Sequence, residues 1–134
     1  MKYLLDTNAW IRYVNKPRSA IARKLATLQP DDVRLCSVVL GELYYGAYKS
    51  SRPANLNVIS TLSRQFASLP FDDAAAVIYG RIRAQLATAG ALIGPYDLQI
   101  AAIALANNLT VVTRNTQEFS RVPGLVIEDW EATP

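Results

Sequence analysis

Apolar positions along this chain switch between short runs and helical spacing, and the switches mark out the elements. Lys2-Tyr3-Leu4-Leu5 reads as a short strand, after which Thr7 or Asn8 can cap a helix carrying Trp10, Ile11 and Val14. From Ser19 to Leu28, Ile21, Ala22, Leu25 and Leu28 fall on one helical face. Pro30-Asp31-Asp32 marks a turn before a second strand, Val33 to Ser37, and a helix from about Val38 to Tyr48. Pro53 opens a further helix through Val58, Ile59, Leu62 and Phe66. Leu69-Pro70-Phe71 is a short extended piece.

Asp72 or Asp73 then caps a long helix through Ala76, Val77, Tyr79, Ile82 and Leu86, which stops near Gly90. Gly94-Pro95 starts an apolar helix to about Ala106, ended by Asn107-Asn108. Thr110 to Thr113 is a β-branched strand, and Gly124-Leu125-Val126-Ile127 is a last one. Short strands alternating with helices predict an α/β fold with a mainly parallel sheet. No repeat or linker divides the chain, so a single domain over 1–134 is expected.

Composition narrows the chemistry. The 134 residues are 51% hydrophobic, enough for a real core. No apolar run approaches the roughly 18 residues of a membrane span, and Asp6 interrupts the first apolar run, so a soluble, cytoplasmic protein is expected. Cys36, the single cysteine, lies in an apolar stretch and reads as a buried free thiol. A charge balance of 14 Lys and Arg against 11 Asp and Glu is weak evidence for nucleic acid. The absence of histidine says more. It removes Ser-His-Asp and Cys-His nucleophile systems and His-ligated zinc, leaving carboxylates, hydroxyls, amines or a bound cation.

The acids matter because of their positions. Asp6 follows the first strand directly, where α/β sheets bind ligands; its bland reading is a helix cap. Glu42 has Val38, Val39, Tyr45 and Gly46 as helical neighbours, and is either functional or an edge glutamate turned to water. Asp97 lies on a helix that is apolar nearly all round, sharing its face with Ile100, Ala101 and Ala104. An inward carboxylate there costs several kcal/mol unless a cation or hydrogen bonds compensate. Thr113, Asn115 and Glu118 follow the late strand at the same sheet edge as Asp6. Carboxylates in this number suit a hard divalent cation such as Mg²⁺. Without one, they would repel RNA and resist ionising together.

Four blocks carry a resemblance: Leu4-Leu5-Asp6-Thr7-Asn8; Glu42 on an early helix; Ile93-Gly94-Pro95-Tyr96-Asp97-Leu98-Gln99-Ile100-Ala101-Ala102; and Val112-Thr113-Arg114-Asn115-Thr116-Gln117-Glu118-Phe119. In this order and at these separations they resemble PIN-domain ribonucleases, more narrowly the VapC toxins of type II toxin–antitoxin modules. The likeness spans nearly the whole chain, including Val122-Pro123-Gly124-Leu125.

The resemblance implies a PIN-like, parallel four- or five-stranded sheet flanked by helices, with the acids at one end. It implies a catalytic centre of Asp6, Glu42 and Asp97. Asp6 and Asp97 would be the direct ligands of Mg²⁺, with Mn²⁺ as a substitute, and Glu42 would hold or orient water on the ion. Asn8, Thr113, Asn115 and Glu118 are supporting candidates. The implied reaction is hydrolysis of an RNA phosphodiester by metal-activated water. The implied partners are a small DNA-binding antitoxin, whose tail occupies a groove near the acids, and a second copy of the chain. A catalytically silent PIN-like binder of RNA or antitoxin is the alternative.

Two departures from the family pattern stand out. Asn115 replaces a further aspartate, leaving Glu118 as the nearest acid and the number of metal ions open. Tyr96 stands where a small polar residue is common, and its ring is expected to pack rather than stack on a base. Gly41 to Gly46 imitates the opening of a phosphate-binding loop, but the required lysine is missing and the segment reads as helix. Tyr44, Tyr45 and Tyr48 are expected to form a core seam. Arg12, Lys16, Arg18, Lys49, Arg52 and Arg114 are expected to be solvated. A phospho-acceptor domain would need a paired acid beside Asp6 and a late-strand lysine, where this chain has Thr7 and Arg114.

Overall fold

A computed structural model describes residues 1–132. Five parallel strands form the sheet in the order β3-β2-β1-β4-β5: β1 (Tyr3–Leu5), β2 (Val33–Cys36), β3 (Ser68–Leu69), β4 (Thr110–Val112) and β5 (Ile127–Glu128). The helices are α1 (Thr7–Asn15), α2 (Ala20–Leu25), α3 (Ser37–Ser50), α4 (Pro53–Gln65), α5 (Asp73–Thr88), α6 (Pro95–Ala106) and α7 (Thr116–Phe119). No helix among the described residues is long and apolar enough to cross a membrane.

The three central strands, β1, β2 and β4, are buried through most of their length, while the edge strands β3 and β5 are not. Leu4, Leu5, Val111 and Val112 are wholly buried, as parallel strands covered by helices must be. Helix α6 carries the apolar pattern that predicted burial: Ile100, Ala101, Ile103 and Ala104 are closed off from solvent. Trp10 of α1 packs against Phe66 with ring centroids 5.0 Å apart, tying α1 to the end of α4. Cys36 lies inside this core as a free thiol, and burial pushes it up to about 11.

Strand order decides where a ligand can bind. The chain adds β2 and then β3 on one side of β1, then crosses to place β4 on the other. The order of strand addition therefore reverses between β1 and β4, and crevices open beyond the carboxyl ends of strands at such a point. The pairing of Leu5 with Val112 puts Asp6 and Thr113 level with each other at that edge.

Several boundaries differ from the sequence expectation. Helix α2 ends at Leu25, and turn bonds rather than helix carry Ala26 to Leu28. Ser37 opens α3 instead of closing β2. Gly124, with φ of +79°, makes a turn that delays β5 to Ile127.

Candidate active site

Asp6 caps a helix and also ties two strand ends together. Its Oδ1 accepts the Ala9 N–H at 2.9 Å, so Asp6, not Thr7 or Asn8, is the cap of α1. Its Oδ2 accepts the Thr113 hydroxyl at 2.6 Å, across 107 residues of chain. Thr113 in turn accepts the Asn115 N–H at 2.8 Å. Asp6 and Thr113 are only 5% and 1% exposed, the two buried polar side chains among the described residues, in a core of apolar ones. Burial raises the Asp6 pKa above its ordinary value, against the lowering pull of Thr113, Ala9 and the Arg12 charge.

Glu42, half-buried on α3, is fixed by a residue sequence reasoning considered only as a cap. The Thr7 hydroxyl donates to its Oε1 at 2.7 Å. Asp97 lies in the first turn of α6, immediately after the Gly94-Pro95 entry. Its carboxyl is pushed up to about 6, first by burial, then by the charges of Glu118, Asp6 and Glu42, with Asn115 pulling the other way. Glu118 accepts the Gly94 N–H at 2.6 Å and the Asn115 side-chain amide at 2.6 Å, joining α7 to the start of α6. Three acids from three other segments thus lie within electrostatic reach of Asp97.

Asn8 stands farther out. It lines a cleft of about 710 Å³ with Thr7, Glu42, Tyr45, Tyr96 and Gln99. Here two expectations fail. Tyr96 is 59% exposed and Tyr45 is 66% exposed, so neither ring is core. Tyr44 alone of the three α3 tyrosines is partly buried against the core. Both rings line the open cleft instead of the core.

Arg12 departs from expectation as well. Its Nε is 2.6 Å from Glu131, which also approaches Arg114 Nε at 3.5 Å. This mostly buried pair anchors the chain beyond β5 beneath α1, and nothing in the local sequence links residues 119 apart.

The donor chemistry fits a hard divalent ion. Every candidate ligand is an oxygen, and each carboxylate keeps lone pairs beyond the bonds it accepts. Among the described residues, no group of three or more His, Cys, Asp or Glu closes up as a metal cage. An ion here would therefore take one or two carboxylates and complete its shell with water, the habit of Mg²⁺.

Comparison with known proteins decides the lineage. Residues 3–125 match the PIN domain. The tRNA(fMet)-specific endonuclease VapC of Salmonella typhimurium is 42% identical over 132 residues, 97% of this chain and 98% of the relative.

The chain belongs to the PIN-domain family, in its VapC group.

The tRNA(fMet)-specific endonuclease VapC of Shigella flexneri is 45% identical over 132 residues, 97% of this chain and 98% of the relative. The crystal structure of DNA-bound VapBC from Salmonella typhimurium superposes on this PIN domain with a TM-score of 0.91 and 40% identity. That match covers 97% of this chain and 98% of the other. The PIN-like fold with its parallel sheet, expected from the sequence, is the fold of this VapC-group chain.

Proposed function

We propose that this PIN-family chain, folded as a single domain, is a metal-dependent endoribonuclease and the toxin of a type II toxin–antitoxin pair. Asp6, Glu42 and Asp97 form its catalytic centre. The observation that carries the reading is the gathering of Asp6, Glu42, Asp97 and Glu118 around the β1–β4 switch point, close enough that three of them raise the fourth. A protein with no cation to bind would gain nothing from holding these charges together.

Asp6 and Asp97 would hold Mg²⁺ or Mn²⁺. Such an ion supplies a lowered pKa for water, charge neutralisation of the phosphodiester and stabilisation of the leaving oxygen. The chain's own residues do the positioning. Thr113 and the Ala9 N–H fix both oxygens of Asp6, so its carboxylate plane needs no reorganisation when RNA arrives. Thr7 holds Glu42 on the cleft wall, where its free oxygen can orient the attacking water. Asn115 and Glu118 brace the entry to α6 and with it the position of Asp97. Asn115 brings no charge, so the site favours one ion over two.

The tRNA(fMet) specificity of the Salmonella and Shigella relatives supports transfer RNA as the substrate class. Solved VapBC complexes support an antitoxin partner. A groove of about 310 Å³ between α1, α3 and α4 continues from the acid cleft, sharing Ile11 and Glu42 with it, and its apolar wall suits the antitoxin's tail. A homodimer in the cytoplasm is part of the same reading.

The test is cleavage of purified tRNA by the full chain with Mg²⁺ or Mn²⁺, and with EDTA as control. Cuts that appear with metal and vanish with EDTA support the proposal. Tight RNA or antitoxin binding with no cuts under any metal would make the chain a silent binder.

A further inference from the structure

The acid cleft and the groove that continues from it differ in what they offer a ligand. Along α1, α3 and α4 the groove is walled largely by Val14, Leu43, Ala47, Val58 and Ile59, a surface for apolar side chains. The cleft instead presents two exposed rings, Tyr45 and Tyr96, with the side-chain amides of Asn8 and Gln99 on the same lining. Rings and amides together match a nucleobase, which has two π-faces and a rim of donors and acceptors. The volume, about 710 Å³, is within the range of pockets that take small ligands.

Electrostatics favours the same occupant. Glu42 on the same lining repels phosphate, so RNA held beside it is gripped best by uncharged contacts. Stacking is such a contact, and it works with any base. Beside the cleft, Lys49 places its Nζ 5.8 Å from the Tyr45 ring centroid, a charge that a neighbouring phosphate could meet.

Resting on the ribonuclease reading, we propose that Tyr45 and Tyr96 form a base clamp, with Asn8 and Gln99 reading the edge of one unpaired nucleotide next to the scissile phosphate. The clamp favours single-stranded loops, whose bases can be splayed out, over paired stems. Both tyrosines are specificity-determining residues that act on substrate binding, and the acids do the chemistry.

The experiment uses the full chain and a stem-loop RNA, with the cut site mapped first. Tyr96→Ala and Tyr45→Ala should each raise KM by about tenfold with a smaller effect on kcat. Tyr96→Phe, which keeps the ring, should recover most of that loss. An abasic nucleotide beside the cut should raise KM for the wild type and add little in Tyr96→Ala. KM values unchanged in both alanine variants, or abasic and alanine losses that multiply, would overturn the clamp. So would alanine variants that lose only affinity for the antitoxin. A second arm, binding of the same RNA carrying 2-aminopurine at that position in EDTA, separates the two readings. Quenched fluorescence without cleavage in metal sinks the nuclease and keeps the clamp; cleavage with an unquenched base does the reverse.

Discussion

At the floor of the site, Asp6 and Thr113 are buried and joined by a 2.6 Å hydrogen bond, and the strand register sets them level with each other. At its mouth, Tyr45 and Tyr96 stand mostly in solvent, on helices whose opposite faces do the packing. The floor is organised before any ligand arrives; the mouth is free to adapt to one. Damage to the floor should therefore appear in kcat and in metal binding, and damage to the mouth in KM.

The largest expected effect is at the floor. Asp97→Asn and Asp6→Asn should each lower cleavage by about 10²–10⁴-fold with the circular dichroism spectrum unchanged. Full activity in either purified variant would break the contrast. Thr113→Val comes next. It removes the hydroxyl that holds Asp6 and accepts Asn115 N–H, leaving a buried acceptor and donor unpaired. A loss of about 1–3 kcal/mol in chemical denaturation and a fall in kcat of roughly tenfold or more should follow. A change in KM alone would move Thr113 to the mouth in function.

pH sharpens the comparison further. Asp97 ionises at about 6 in the folded chain, above its ordinary 3.8. Between those values the folded state binds more protons, so the stability from a neutral Asp97 is present at low pH and lost as pH rises through about 6. Two measurements follow. Mn²⁺ affinity should fall as pH drops through about 6, because the neutral acid is a poor ligand. Asp97→Asn without metal at neutral pH should melt a few degrees higher than wild type, since the amide carries no repelled charge. A lower melting temperature would mean that the carboxylate is structural. The smallest effect is expected from Glu118→Gln, whose partners are Gly94 and Asn115. It should weaken Mn²⁺ binding less than Asp6→Asn in calorimetric titration.

How far the sequence could be read follows the same division. Helix α6 and strand β4 were legible because burial on all sides leaves an apolar run that no surface element carries. Asp97 was legible as an acid out of place on such an element, whereas Asp6 and Glu42 taken singly also read as a cap and an edge glutamate, and only the family resemblance grouped the three. The four-residue α7 is too short to show a period, and β5 was misplaced because Leu125 and Val126 look like strand while Gly124 turns the chain. Thr7 was seen only as a cap because nothing local tells a hydroxyl aimed at Glu42 from one aimed at backbone. Tyr45 and Tyr96 were misread because a ring at helical spacing counts as core in any periodicity, and only the fold shows that nothing covers them.

The most direct test of the floor is anomalous diffraction from crystals of the full chain soaked in Mn²⁺. One peak within bonding distance of carboxylate oxygens of both Asp6 and Asp97, lost in Asp97→Asn, is the predicted result. A peak elsewhere, or none at saturating Mn²⁺ above pH 7, would contradict it.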